Sequence, residues 1–162
     1  MRTAILTIST SLAGGDGEDL SGPALAAAAT DAGCEVELRE VMADDQPAIE
    51  ARLRELVAEG FEIVLTSGGT GLTPDDVTPE ASEAVIERPV PGIAEAMRAA
   101  SMQFTPAAAI SRATSGVAGR TLIVNMPGNP KAIGEVFPVL APILGHAVRH
   151  ISRQGGRSDG EH

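Results

Sequence analysis

A glycine-rich turn flanked by carboxylates is the part of this chain best suited to chemistry. Thr66-Ser67-Gly68-Gly69-Thr70-Gly71 follows an apolar run, Phe61 to Leu65, and Asp75 and Asp76 follow it closely. Glycines interleaved with hydroxyls let backbone N–H groups crowd around an anion without interference from Cβ atoms. Carboxylates beside such a cradle suggest a divalent metal, and magnesium typically takes one or two protein carboxylates together with substrate phosphates. The turn lacks the G-x-G-x-x-G of a dinucleotide site and the G-K-[ST] of a Walker loop. A phosphate-handling site of another kind is the reading that remains.

A second acidic pair, Asp44-Asp45, precedes Pro47, where a helical pattern begins. Either pair alone reads as helix-capping acids, Asp75 more so than Asp76. At the same end of adjacent strands, one member of each pair can share Mg²⁺. Met126-Pro127-Gly128-Asn129-Pro130-Lys131 is a further sharp turn, with Asn129 as N-cap and Pro130 at the first helical position. Lys131, the single lysine, then sits in the first turn of a helix, where the macrodipole disfavours a cation unless an anion lies before it. Arg112 is a second candidate clamp, with a surface ion pair as its competing role. His146 and His150 have metal-compatible spacing but no carboxylate near them in sequence, which favours a solvated or interface role. Cys34 reads as core, and no Ser–His–Asp arrangement is present.

The surrounding pattern shows what must position these groups. Thr3 to Ser9 reads as a buried strand that ends in a flexible loop, Thr10–Asp19. A helix follows from Ser21 to Gly33, then an imperfectly alternating strand from Cys34 to Val41. Ile49, Leu53, Leu56 and Val57 form one face of a helix from Pro47 to about Gly60. Helices are expected from Thr78 to Glu87 and from Ile93 to about Gln103. Ile110–Val117 and Arg120–Asn125 read as a hairpin, with one antiparallel strand edging the sheet. The last helical pattern, from Lys131 to about Arg149, contains Pro138 and Pro142, which predict a break or restart. Alternating strands and helices imply a three-layer αβα domain with a mostly parallel sheet, spanning 1–152 and followed by a flexible tail, 153–162. Ligands bind beyond the carboxyl ends of the strands in such folds, so the loops at Thr10–Asp19, Met42–Gln46, Ser67–Asp76 and Met126–Pro130 should share one edge.

Composition narrows the partners. The formal net charge of −10 disfavours nucleic acid and anionic membranes. No apolar stretch approaches the ~20 residues that span a bilayer, and the N-terminus reads as a strand rather than a signal peptide. With one cysteine there is no internal disulfide. A cytoplasmic location is expected. Only 2% of residues are aromatic against 43% hydrophobic, so the core must be aliphatic.

Together these residues resemble the molybdenum-cofactor biosynthesis domain family: molybdopterin adenylyltransferases, their MoaB-type relatives and gephyrin-like G domains. The resemblance rests on Thr66–Gly71, Asp76-Val77-Thr78-Pro79-Glu80-Ala81, Pro91-Gly92, Ile110-Ser111-Arg112 and Asn125–Pro130, and runs from Arg2 to about Ile151. It implies an α/β homotrimer that uses Mg-ATP to adenylylate molybdopterin, with release of pyrophosphate. It also implies that Asp44 and Asp76 are the catalytic, metal-holding acids, and leaves Asp75 as a helix cap. Thr66, Ser67, Gly68, Gly69, Thr70 and Gly71, with Ser111, Arg112 and Pro127, Gly128, Asn129, Pro130 and Lys131, line the nucleotide and pterin site on this reading. The same resemblance implies a molybdate-inserting enzyme as a downstream partner. Many members have Ser-Asp-Arg after the first strand where this chain has Ser9-Thr10-Ser11, removing a carboxylate and a cation. That departure keeps open a pterin-binding protein without turnover. The competence-damage-inducible family, tied to nucleotide-pyrophosphate hydrolysis, is a third reading.

Overall fold

β1 (Arg2–Ile8) is buried on both faces, and its alternation divides the core in two. Ile5 faces one apolar cluster, while Ala4, Leu6 and Ile8 face the other. β3 (Ile63–Ser67) and β6 (Thr121–Met126) repeat this division: Ile63, Leu65, Leu122, Val124 and Met126 on the first side, Val64 and Ile123 on the second. A strand buried on both faces needs a continuous apolar run covered by helices on both sides. The computed structural model describes residues 1–153. Apart from Arg153, the expected flexible tail lies outside the described residues.

The sheet order is β2-β1-β3-β6-β5-β4. β2 (Glu35–Met42), β1, β3 and β6 run parallel, whereas β5 (Ser115–Ala118) is antiparallel to β6 and β4 (Arg88–Pro89) antiparallel to β5. α2 (Ser21–Asp31), α5 (Pro91–Ser101) and α6 (Pro130–Ser152) cover the first face, and α3 (Gln46–Ala58) and α4 (Thr78–Val85) the second. This is the expected three-layer α/β architecture.

Several local expectations are corrected. The hairpin forms, but β5 is not the edge: β4 lies outside it, and Pro106–Ile110 is a short 3₁₀ helix rather than strand. The loop after β1 begins with a one-turn helix, α1 (Thr10–Ala13). α6 runs unbroken through Pro138 and Pro142. Both prolines lie on its exposed side, where water can satisfy the carbonyls they leave without a donor. α6 is also long and apolar enough by composition to cross a membrane, contrary to the sequence expectation. Here its Ile133, Val136, Phe137, Leu140, Leu144 and Val148 are buried in the core.

The imperfect alternation of β2 has a cause. The β1–β2 register shifts between Thr3 and Ala4, leaving Glu37 as an extra residue. Such a bulge reverses the side-chain parity. Val36 therefore packs with the first cluster and Leu38 with the second, although they are two apart.

Candidate functional site

Four loops meet at the carboxyl ends of the parallel strands, as the topology requires. Gly68 has φ of +99°, and a Cβ there would overlap the Ile8 carbonyl oxygen. Absence of that carbon lets the β3 turn lie against the end of β1. Ser67 donates from Oγ to the Pro127 carbonyl at 2.8 Å, tying the same turn to the loop after β6. Beneath it, Asn125 is fully buried and donates from Nδ2 to Thr66 Oγ1 at 3.0 Å and Ser82 Oγ at 2.9 Å. Its Oδ1 accepts the Thr114 amide at 3.2 Å. Thr66 and Ser67 thus brace the turn from below rather than facing a ligand.

The turn itself is open to an anion. Among the described residues, the amides of Gly69, Thr70 and Gly71 donate to no protein acceptor. Three adjacent unpaired N–H groups with Gly69 at φ of +66° form the kind of concave backbone that receives phosphate oxygens. Thr70 and Gly71 also form part of the wall of a cavity of about 290 Å³, closed on other sides by Met97, Ala108, Val136 and Asn125. Ser111, Pro127, Gly128 and Asn129 reach this cavity as well. Asn129 caps α6, accepting from the Ala132 amide at 2.8 Å, and Pro130 occupies the first turn. Lys131 is exposed and does not line the cavity.

The two predicted acids lie at the turn and are held alike. Asp44 Oδ2 accepts from the Thr10 amide at 2.9 Å and from Thr10 Oγ1 at 2.8 Å. Asp76 Oδ2 accepts from the Thr73 amide at 3.0 Å and from Thr73 Oγ1 at 2.7 Å. Neither Oδ1 has a hydrogen-bond partner among the described residues. Asp44 Oδ1 lies 3.2 Å from where a Cβ on Gly69 would stand, and Asp76 Oδ2 2.8 Å from the equivalent point on Gly71. The neighbouring acids differ. Asp45 caps α3 through the Ala48 amide at 3.1 Å, as its sequence position allows. Asp75 is exposed and caps nothing: α4 begins after Val77, with no side-chain cap.

One buried hydroxyl lacks a partner. Thr78 Oγ1 is wholly buried, unsatisfied, and points to the space above Gly69 that Asp44 Oδ1 also borders. An unpaired buried hydroxyl is costly unless a ligand completes it. Hydroxyl and carboxylate oxygens are hard donors of the kind magnesium takes, so the residues present fit that ion. No three His, Cys, Asp or Glu side chains cluster as a metal cage among the described residues. Magnesium rarely has one; it keeps water and phosphate oxygens.

Arg112 does not face the anion cradle. Its Nε donates to the Gly71 carbonyl at 2.7 Å, one terminal nitrogen to the Asp76 carbonyl at 2.6 Å, and the other pairs with Glu80. The hydrogen bond from Arg112 holds the Glu80 carboxyl below its ordinary range, against burial and nearby Asp76. Arg112 is thus a brace inside the loop, corresponding to the ion pair that competed with its clamp role. Sequence reasoning missed Thr10, Thr73, Thr78 and Glu80 as site residues, although Thr78 and Glu80 stand in the quoted Asp76–Ala81 motif. It also missed Arg98, which borders the cavity and donates to the Ser111 and Ala113 carbonyls at 3.3 and 2.9 Å. His146 and His150 meet with ring centroids 4.2 Å apart and planes tilted by 41° on the exposed side of α6, and neither lines the cavity.

Residues 4–146 match the family described as "Probable molybdopterin binding domain". The chain belongs to that family of molybdenum-cofactor biosynthesis domains. It is 39% identical over 154 residues to the molybdopterin adenylyltransferase of Escherichia coli K12, covering 93% of this chain and 78% of that protein. A 50% identity over 95 residues to the Haemophilus influenzae molybdopterin adenylyltransferase covers 58% of this chain. The match spans about half of that relative's length, 48%. Among solved structures, MoaB of Thermus thermophilus superposes with a TM-score of 0.88 at 41% identity, covering 93% of this chain and 96% of that one. The Mog protein of Mycobacterium ulcerans gives 0.87 at 37% identity, covering 93% and 98%.

Proposed function

We propose that this protein adenylylates molybdopterin, using Mg-ATP and releasing pyrophosphate. The observation that carries the reading is the pair of aspartates beside the glycine turn, each with one carboxylate oxygen held by a threonine and the other free. The curated relatives named as molybdopterin adenylyltransferases support it independently.

The unpaired amides of Gly69, Thr70 and Gly71 receive phosphate oxygens without adding net charge. The largely apolar cavity next to them accepts a flat heterocycle, and its Thr70–Gly71 wall keeps that ring system beside the phosphate cradle. Asp44 and Asp76 would hold Mg²⁺, which when bound would neutralise phosphate charge. An oxygen of the terminal phosphate of molybdopterin forms the new bond to the α-phosphorus of ATP, while the bond from that phosphorus to the bridging oxygen of pyrophosphate breaks. The attacking phosphate is already an anion, so no protein base is needed. The chain contributes by positioning the reactants and stabilising charge.

The resemblance carries the remaining parts of the proposal: a homotrimer, a cytoplasmic location and a molybdate-inserting enzyme downstream. Exposed Met102, Phe104 and Ile110 offer apolar surface for subunit contact. Incubation with molybdopterin, ATP and Mg²⁺, followed by detection of adenylyl-molybdopterin, tests the activity. Asp44→Asn and Asp76→Asn should each abolish transfer while pterin binding persists; unchanged transfer in both removes the metal-acid assignment.

A further inference from the structure

The loop after β1 is where this chain departs from the Ser-Asp-Arg of many relatives. The final rung between β1 and β2, Ser9 N–H to the Met42 carbonyl at 2.7 Å, brings the departing residues against Asp44. Thr10 and Asp44 then close a reciprocal clasp across 34 residues of sequence. The Thr10 hydroxyl donates to Asp44 Oδ2 at 2.8 Å and accepts the Asp44 amide at 3.0 Å, and the Thr10 amide donates to the same Oδ2 at 2.9 Å. One side-chain oxygen thus fixes both the backbone and the carboxylate of the residue it faces.

We propose that Thr10 is a positioning residue, which turns Asp44 so that Oδ1 faces the polar space above Gly69. This rests on the role of Asp44 given above. Two features of the geometry lead to it. The same arrangement recurs at the other acid, where Thr73 holds Asp76 Oδ2 and leaves Oδ1 free. At Asp44, the free oxygen borders the space into which the orphaned hydroxyl of Thr78 points. A local cap of α1 would not require this: Ser9 already supplies one, accepting the Leu12 amide at 3.4 Å. An aspartate at position 10 would have no hydroxyl to give and would set a second negative charge against Asp44. In this chain the loop supplies a hydrogen-bond donor that orients the acid beside it.

The test uses Mn²⁺ as a paramagnetic probe on the full chain with ATP present, reading free Mn²⁺ by electron paramagnetic resonance against a matched control of ATP alone. Removing the hydroxyl in Thr10→Val should weaken Mn²⁺ binding about 10-fold, the scale on which residues behind metal ligands act. Thr10→Ser should bind and unfold as wild type, and Thr10→Val should remain cooperatively folded, its unfolding temperature lowered only by the loss of two exposed hydrogen bonds. Wild-type Mn²⁺ affinity in Thr10→Val overturns the inference alone. So does Thr10→Ser binding as weakly as Thr10→Val, since the hydroxyl would then not be the cause. A wild-type protein that takes up no Mn²⁺ with ATP overturns the proposed function and this inference with it.

Discussion

Arg112 donates from Nε to the carbonyl of Gly71 at 2.7 Å, closing the glycine turn from behind. The Arg112 amide adds a second tie, to the Thr70 carbonyl at 2.9 Å. With the bond to the Asp76 carbonyl, Arg112 holds the glycine turn and the Asp76 backbone as one unit. The guanidinium charge is directed to Glu80, so its contribution is geometric.

Arg112→Met should therefore lower kcat/KM for adenylyl transfer by about 100-fold, the scale of a misplacement near 1 Å at a reacting centre. Arg112→Lys should rescue little, because an ammonium cannot reproduce a planar fork with donors in fixed directions. Steady-state kinetics on the three proteins decides the point; full rescue by lysine would show that charge alone matters.

The Arg112–Glu80 pair also predicts an acid limb in stability. The folded carboxyl titrates below its unfolded value because Arg112 hydrogen-bonds the ionised form. The pair's contribution is complete above the unfolded value of about 4.3 and disappears as pH falls through the lower folded one. Both side chains are partly exposed, so screening keeps the effect small. Urea midpoints measured downward from pH 6 should fall less steeply for Glu80→Gln than for the wild type.

Gly69→Ala separates backbone strain from obstruction. Its φ of +66° disfavours any side chain, and the added carbon would overlap Thr78 Oγ1. Gly33, at φ of +87°, has nothing within 4 Å of the same point. Gly33→Ala should cost only the left-handed strain, about 1–2 kcal/mol, with activity intact. Gly69→Ala should destabilise further and lose adenylyl transfer. Equal thermal shifts and equal activity in the two variants would contradict the crowding at Gly69.

What the sequence makes legible here is what repeats at short range. The apolar runs of β1 and β3, the glycine turn and the Asn129-Pro130 helix start all carry their geometry in neighbouring residues. The bulge at Glu37 does not, because a register shift depends on the partner strand, and it reverses Leu38 without leaving a local mark. Within the site, the acids and the turn were visible by residue type, but their supports were not. Gly71 and Arg112 are 41 residues apart, and Thr10 and Asp44 are 34 apart. The motif separates Asp76 from Asp75, but not what each does locally: the turn brings Thr73 onto Asp76, while Asp75, expected as a helix cap, stays solvated.

Asn125 offers the sharpest test of the polar layer beneath the turn. It is completely buried, and its two donated bonds and one accepted bond satisfy Thr66, Ser82 and the Thr114 amide together. Asn125→Ala would strand those groups and open a small void, at a cost of about 3 kcal/mol. Asn125→Asp keeps the shape but introduces a carboxyl where ionisation is opposed by burial, so its folded pKa must rise above the unfolded value. A raised pKa makes this variant relatively most stable below the unfolded value and progressively weaker as pH climbs through the folded one. Urea unfolding should accordingly show Asn125→Asp nearest to wild type at about pH 4 and furthest from it near neutrality. A deficit independent of pH would instead mean that the carboxyl stays charged, held by the Thr114 amide and by Thr66 and Ser82 hydroxyls turned round to donate.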